Sequence, residues 1–351
     1  MKQYRVGVLG LTHDHVWGNV DKLVALPNAT LVGAAEADAP LRQKFVERYK
    51  VGDVSDNYGT FLASHDLDIV FCFGSNREAS EAAAECAARG LHVMLEKPMA
   101  PDLELADRMY SAANRAGVKL MVNWPHNWNP RLRKAYQLVK EGAIGEVFKL
   151  RYAGGHAGPR EIGCSPIFCD WLYDYAQNGV GALHDQGGYA ATVCRWFLGR
   201  PNRVMAMGGR LTKHDITDLD NVVMLLRYDR AIALAESSWS WIGGYPSAGP
   251  YVYGTEGSLI AHSGKETPDV TIVTKSDQTP REVKAEPLPE GERNAPEYFL
   301  KCIAEDRPIE GLVSPEVSRG AQEILEAAVM SIATGSEVAL PLDQALPGIV
   351  G

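Results

Sequence analysis

Over its first 123 residues the chain alternates short, almost wholly apolar runs with stretches of helical spacing, and no other feature restricts its fold as much. The apolar runs are YRVGVLGL (4–11), ATLVGAAEAD (29–38), LDIVFCFG (67–74), LHVMLEKP (91–98) and VKLMVNW (118–124). Between them lie HVWGNVDKLVAL (15–26), LRQKFVERYK (41–50), REASEAAAECAARG (77–90) and a helix around LELADRMYSAANRAG. A strand that is apolar on both faces has to be covered on both, and the intervening helices supply the cover. The expected result is an α/β unit on a parallel sheet, whose ligands bind at the carboxyl ends of the strands.

After residue 123 the rhythm changes. RLRKAYQLVKEGAIG (131–145) reads as a helix. Strand-like runs then follow without regular helices between them: EVFKLRYA, NRVMAMGGRL, NVVMLLRY, AIALAESSW and DVTIVT. They imply a second, largely antiparallel open sheet. One helix, GALHDQGGYAATVCRWFLG (181–199), interrupts it. A late helix starts with Ser314 as N-cap and Pro315 in the first turn. Its apolar face is Val317, Ala321, Ile324, Leu325, Ala328 and Ile332. Residues 275–296 are polar and read as a surface loop. No internal repeat is visible. The domains are expected at 1–123 and 124–351, with the helix at about 315–334 packing back on the first.

The 351 residues suit two domains, and 46% hydrophobic with 23% charged residues permits a core and a soluble surface. A net charge of −9 and the lack of a basic run argue against a nucleic-acid partner. No apolar run reaches the ~20 residues of a membrane helix. The six cysteines form no Cys-x-x-Cys pair and several lie in apolar segments, as reduced thiols do. Met1 to Tyr4 lead straight into a strand, with no signal peptide, so the expected compartment is the cytoplasm.

Three stretches carry chemistry. In VGVLGLTHDHVWG (6–18), Gly10 sits where a tight turn leaves the first strand, and the helix that follows offers free N–H groups to a phosphate. Thr12 and His15 replace the later glycines of a dinucleotide fingerprint. The turn alone also fits a bare strand–helix connection. A metal on His13, Asp14 and His15 is disfavoured, because adjacent residues rarely converge on one ion. Glu36 ends the second strand, where a carboxylate accepts ribose hydroxyls and repels the 2′-phosphate of NADP. Arg42 keeps NADP open as the alternative.

The second stretch is LEKP (95–98), which ends the fourth apolar strand on the ligand rim. Glu96 and Lys97 stand there, and a partly buried lysine is expected to have a lowered pKa. The third is HDQGGY (184–189). Asp185 and Tyr189 are four apart on a helix and so share a face, where they can act together on a substrate hydroxyl. A nearby Lys97 ammonium would lower the tyrosine's pKa.

The order Gly10, Glu36, Glu96-Lys97-Pro98, Asp185-x-Gly187-x-Tyr189 resembles the Gfo/Idh/MocA oxidoreductases, the glucose–fructose oxidoreductase and inositol dehydrogenase superfamily. NPRLRKAYQLVKEGAIGEVFKLR (129–151) and YGTEGSL (253–259) extend the likeness over nearly the whole chain. The resemblance implies a Rossmann domain, then an α/β domain on an open, largely antiparallel sheet that often joins subunits. It implies NAD, with NADP as the alternative, tightly bound, and a sugar or cyclitol substrate. Cofactor contacts are then expected at Gly10, Thr12, His13, Asp14, His15, Glu36, Gly74, Ser75, Asn76, Glu96, Lys97 and Asn123. Catalysis is expected from Lys97, Asp185 and Tyr189, with no metal.

The chain departs from the family pattern at three places. The glycine fingerprint is thinned to Gly10. SNREAS (75–80) stands where a Pro-Asn and a helix-front histidine often stand. Tyr189 replaces the histidine of the common Asp-x-x-x-His, as in glucose–fructose oxidoreductase-like members. A phenol titrates near 10 rather than ~6.5, so an alkaline optimum for alcohol oxidation is expected unless Lys97 lowers it. His184 is adjacent, but on a helix it points about 100° away from Asp185.

For substrate, NWPHNWNP (123–130), GGHAGP (154–159), FCDWLYDY (168–175) and ESSWSWIGGYP (236–246) supply aromatic and polar groups. Candidates are Trp124, His126, Asn127, His156, Trp171 and His184, with Trp239, Trp241 and Tyr245 further along. Aromatic faces with amide and imidazole groups suit a polyhydroxylated ring. The absence of an Arg/Lys cluster favours a neutral sugar, glycoside or cyclitol. Two rivals share these residues: an enzyme that keeps NAD and cleaves glycosides by transient oxidation, and a non-catalytic NAD and sugar sensor. A homodimer or homotetramer through the second sheet is expected.

Overall fold

The computed structural model of the protein describes residues 2–243, 249–264 and 266–342. Tyr245 lies outside the described residues. The first unit runs β1 (Tyr4–Leu9), α1 (His15–Val24), β2 (Ala29–Ala35), α2 (Ala39–Tyr49), β3 (Asp53–Ser55), α3 (Tyr58–Ser64), β4 (Ile69–Cys72), α4 (Asn76–Ala88), β5 (His92–Glu96), α5 (Leu103–Ala116) and β6 (Leu120–Asn123). The six strands are parallel in the order β3-β2-β1-β4-β5-β6, the doubly wound dinucleotide-binding topology. Val6, Val8, Ile69, Val70, Phe71 and Val93 are fully buried, as strands covered on both faces require.

The strand β3 and helix α3 leave little trace in the sequence. The strand is three residues long with an exposed Asp53. It can pair with β2 because Gly33 has no side chain: a Cβ there would come within 1.8 Å of the Asp53 carbonyl oxygen. Helix α3 is started by Asn57, whose side chain accepts the Thr60 N–H at 2.9 Å.

The second unit begins with a 3₁₀ turn at Pro125–Trp128. It continues through α6 (Pro130–Lys140), β7 (Val147–Gly155), α7 (Pro166–Leu172), α8 (Tyr175–Asn178), α9 (Gly188–Leu198), β8 (Arg203–Gly209), β9 (Asn221–Arg227) and β10 (Ile232–Ser238). Then come β11 (Tyr251–Gly254), β12 (Gly257–Ala261), β13 (Val270–Thr274), β14 (Arg281–Val283), α10 (Ala295–Ala304), α11 (Pro315–Thr334) and β15 (Val338–Ala339). The nine strands lie in the order β14-β13-β12-β11-β7-β10-β9-β8-β15. The pair β7–β10 is parallel and the others are antiparallel. One face of this sheet packs on α9 and α11. The other leaves Met207, Val223, Leu225 and Ile232 exposed.

The helix expected at 181–199 is not uniform. Residues Leu183–Gly187 form a π-helical turn and the α-helix starts at Gly188. The widened turn shifts Asp185 out of α-helical phase with Tyr189. Helix α11 has the expected Ser314 cap, which accepts the Val317 N–H at 3.2 Å. It is buried on more than its apolar stripe, with Gln322 and Glu323 each 1% exposed, because it is wedged between units. Arg319 pairs with Asp107 of α5 at 2.6 Å on one side, and Ser331 accepts the Ala206 N–H of β8 at 2.9 Å on another.

Candidate active site

Gly10, Glu36, Gly74, Glu96, Lys97 and Asn123 all stand at the carboxyl rim of the first sheet. Gly10 has φ +80°, and a Cβ on it would lie 2.3 Å from the Gly74 nitrogen, so only glycine fits this crossing of β1 and β4. Glu36 is buried and bridges two turns: its carboxylate accepts the Leu11 N–H at 2.6 Å and the Asp38 N–H at 2.9 Å. Each oxygen keeps a further lone pair for a ligand hydroxyl. Arg42 donates to the carbonyl oxygens of Glu36 and Ala37 at 2.5 and 2.7 Å. Its guanidinium is thus engaged by backbone beside the site.

The turn after Gly10 has unmet polar groups. Thr12 Oγ1 and His13 Nε2 are buried without a hydrogen-bond partner. Asp14, the N-cap of α1, makes no capping bond with its side chain; it accepts the Ser165 N–H at 2.8 Å instead. The first N–H groups of α1 therefore lack a carboxylate cap. Orphaned side-chain donors, a helix start without a carboxylate cap and a glycine crossing fit a dinucleotide phosphate at this turn.

Behind the turn, Glu96 gathers a network. His15 Nδ1 lies 3.0 Å from its Oε2, and Asn19 and Asn123 donate to its Oε1 at 3.2 and 2.6 Å. Trp128 donates to Asn123 at 2.9 Å. His13, His15 and Glu96 bring three ligand atoms within 4.8 Å of one another. Within that cluster His15 and Glu96 bond each other, and His13 Nδ1 accepts the His15 N–H at 3.1 Å. Asn19 went unnoticed in the sequence. Its signal is a lone amide one turn after His15, among the buried Val16, Val20 and Leu23.

A strap from the second unit covers the rim. Helices α7 and α8 lay Phe168 against His13 at 4.7 Å and Trp171 beside Thr12. Ser75 Oγ bonds Gln177 at 2.7 Å, Asn76 bonds the Asn178 side chain at 2.7 Å, and Arg77 donates to the Ala176 carbonyl at 2.6 Å. The N-termini of α1 and α4 are both tied to this one segment. Ser75 and Asn76, expected at the cofactor, are thus engaged at the junction between units, and Ser75 also caps α4.

Lys97 meets Asp185 beneath the strap. Nζ lies 2.5 Å from Oδ1, with the side chains 5% and 4% exposed. Asp185 Oδ2 accepts from Trp239 at 2.8 Å and Gln186 at 2.9 Å, and His156 Nε2 stands 3.5 Å away. His156 Nδ1 accepts the Gly158 N–H at 3.0 Å, so in the neutral ring Nε2 carries the proton. The Tyr189 ring lies 5.2 Å from Lys97 Nζ, 4.3 Å from His126 and 5.3 Å from Trp124. His126 Nδ1 and Tyr152 OH are 2.5 Å apart.

Two electrostatic expectations reverse here. Burial alone would lower the Lys97 pKa, but the charge and hydrogen bond of Asp185, with Tyr189 and Glu96, carry it above the ordinary lysine range. Asp185 is held well below the carboxylate range: burial opposes its charge, but Lys97 and His156 more than offset that. The pair is ionised. Tyr189 is pushed up by burial, and the lowering by Lys97 does not overcome it. The ring of His126 is brought down to about 4 by burial and by Lys97.

The remaining expected substrate residues separate. Trp171 lies in the strap. Trp124 is 1% exposed and donates to Ser318 of α11 at 3.1 Å, a core contact. His184 is 1% exposed, accepts the Val180 N–H at 2.9 Å and lies 3.3 Å from Gln322. Both of its nitrogens are spent on packing. Asn127 lines a different cavity, behind the 3₁₀ turn.

Known proteins share this plan. Residues 5–124 match the oxidoreductase family with an NAD-binding Rossmann fold, and residues 132–260 match the GFO/IDH/MocA C-terminal domain. Myo-inositol 2-dehydrogenase of Thermotoga maritima is 24% identical, over 79% of this chain and 80% of its own. Levoglucosan dehydrogenase of Pseudarthrobacter phenanthrenivorans is 25% identical, over 90% of each chain. A solved levoglucosan dehydrogenase in complex with NADH superposes with a TM-score of 0.81 at 22% identity, covering 97% of this chain and 100% of that one. Among the described residues no helix is long and apolar enough to cross a membrane. The two matched domains in sequence, on this fold and around this rim, make the chain a member of the Gfo/Idh/MocA family of NAD(P)-dependent oxidoreductases.

Proposed function

We propose that the protein transfers hydride between NAD and a carbinol carbon of a neutral sugar, glycoside or cyclitol. The observation that carries this reading is the buried Lys97–Asp185 ion pair at the end of β5, with His156 as its more accessible third member. Relatives named for myo-inositol and levoglucosan support a neutral ring as substrate. Residues 1–123 are taken as the cofactor unit and 124–351 as the unit for substrate and for subunit contact.

When bound, NAD supplies the hydride acceptor. Gly10, Thr12, His13 and the start of α1 would hold its phosphates, and Glu36 its ribose. The Glu36 carboxylate disfavours a 2′-phosphate, so NAD is preferred to NADP. The Lys97 ammonium donates a hydrogen bond to the substrate oxygen and gives it a proton in the reducing direction; in the oxidising direction the amine, after losing a proton to water, takes up the hydroxyl proton. Asp185 fixes the ammonium and stays ionised. His156, whose Nε2–H faces the other oxygen of Asp185, helps to hold that carboxylate ionised. Tyr189 acts as a protonated phenol that shapes the floor beside Lys97. This moves the proton carrier from the phenol to the lysine.

The test is a titration with NADH and NADPH by nicotinamide fluorescence, followed by a screen of neutral sugars for NADH formation. Preference for NADH and turnover of one ring sugar are expected. Saturable NADPH preference would overturn the role of Glu36, and hydride transfer from none of the sugars would overturn the reading.

One observation favours a second reading. The strap joins the N-termini of both α1 and α4, where a dinucleotide would lie. An enzyme that encloses NAD in this way can oxidise and re-reduce one substrate without releasing the cofactor, as glycoside cleavage by transient oxidation requires. Cleavage of an aryl glycoside with no net NADH would favour it, and free NADH accumulating with product would exclude it.

A further inference from the structure

Asp185 meets Lys97 from the π-helical turn Leu183–Gly187 and not from the α-helix that follows it. Such turns are rare and occur mostly singly, at functional sites. Relaxation to α-helical geometry would swing Asp185 by about 100° against α9 and away from Lys97. The turn is gripped from both sides. On one, the Gln186 carbonyl lies against Gly154 of β7, where a Cβ would come within 2.7 Å. On the other stands His184, next to Asp185 in the chain and fully buried.

His184 and Val180 are joined twice. The His184 N–H donates to the Val180 carbonyl at 3.1 Å, and His184 Nδ1 accepts the Val180 N–H at 2.9 Å. Val180 lies just past α8, at the end of the strap. Gly179, between them, has φ +89°, and a Cβ on it would lie 2.7 Å from the His184 ring. Because Nδ1 accepts, the neutral ring carries its proton on Nε2. That nitrogen stands 3.3 Å from the Gln322 amide of α11, and the backbone of Pro101, in the loop that leaves Lys97, faces the ring as well. One buried imidazole therefore joins the strap's end, α11 and the loop behind Lys97. An apolar side chain would fill the same space without burying ring nitrogens, but it could not accept the Val180 N–H.

We propose that His184 is a positioning residue: by pinning the π turn to the end of the strap, it holds Asp185 against Lys97. It acts through Asp185 and not on the reacting atoms. Its meaning for catalysis rests on the proposed function; the placement of the ion pair does not.

Three substitutions separate the contacts. In His184→Asn the side-chain oxygen falls where Nδ1 stands and still accepts the Val180 N–H. His184→Gln reaches the place of Nε2 instead, and His184→Leu offers no polar group at either. The full chain is labelled with carbon-13 at the lysine ε-carbon, and the Lys97 resonance is identified by Lys97→Arg. Lys97 faces Asp185, Glu96, Tyr189, His126 and His13, and Asp185 is the charge bonded to it. With Asp185 in place the resonance should not titrate up to about pH 10.5, in wild type and in His184→Asn alike. In His184→Leu and His184→Gln burial is left to dominate, and the midpoint should fall below about pH 10. Either of these two serves if the other does not fold. A side chain that only filled space would leave the midpoint unmoved in His184→Leu. Wild-type titration in both His184→Leu and His184→Gln, or an equal fall in His184→Asn, would overturn the proposal. Hydride transfer is read separately, so a lowered midpoint in a protein whose wild type turns over no sugar would sink the proposed function and leave the role of His184 standing.

Discussion

Lys97 is charged because Asp185 is close, and Asp185 is charged because Lys97 and His156 are close. Removing one partner strands the other, so Asp185→Ala should cost stability as well as activity, by roughly 3–5 kcal/mol for a broken buried pair. Asp185→Asn keeps the shape and isolates the charge; a melting temperature equal to wild type in Asp185→Ala would contradict the pairing. Tyr189→Phe should lower turnover by less than about tenfold, since the phenol is not the proton carrier, whereas loss of ~10²–10⁴-fold would restore it to that role. His184 has its pKa pushed down to about 4 by burial. Its folded pKa is below its unfolded one, so the unfolded chain takes up a proton first as the pH falls. Stability should therefore drop between pH about 6.5 and 4, by up to about 3 kcal/mol from this residue, and flatten below. A melting temperature unchanged across that window would contradict a neutral buried His184. Lys97, Asp185 and Glu36 were legible in the sequence because they follow strand ends or a helix pattern. The protonation of Lys97 and Asp185 was not, because it depends on residues 88 positions apart meeting at 2.5 Å.

The strap and the π turn are the elements that sequence reading resolved least. Helices α7 and α8 span seven and four residues, too short for a periodic signal. Nothing in FCDWLYDY distinguishes a tryptophan that stacks on substrate from one that seals the turn after β1. The strap has a measurable consequence. Asp14→Ala removes its bond to the Ser165 N–H and should speed NADH release severalfold in stopped-flow dissociation, with little change in melting temperature. Unaltered release would mean that the strap does not gate the cofactor. Helix α11 was legible from its cap and stripe, and Ser314→Ala should cost about 1 kcal/mol in denaturant unfolding. Its buried Gln322 and Glu323 were not, because the stripe shows one apolar face and the helix packs on more.

At the scale of the molecule, the parallel sheet was legible because five of its six strands lie in almost wholly apolar runs. The second sheet was legible in kind, but its edge strands β14 and β15, of three and two residues, were not. Its open face exposes Met207, Leu225 and Ile232 at 73%, 48% and 47%. Contiguous apolar surface of this sort marks an interface. We expect a second copy of the chain there. Leu225→Arg should shift the protein to a smaller species in sedimentation, and an unchanged species would place the contact elsewhere. The central claim is chemical: Lys97 exchanges the substrate proton as hydride moves. The measurement that tests it most directly is single-turnover NADH formation, with the best sugar of the screen, by wild type and Lys97→Ala. The account predicts a rate lower by ~10²–10⁴-fold in Lys97→Ala, with NADH affinity held within about threefold. An unchanged rate, or a loss explained wholly by lost cofactor binding, would contradict it.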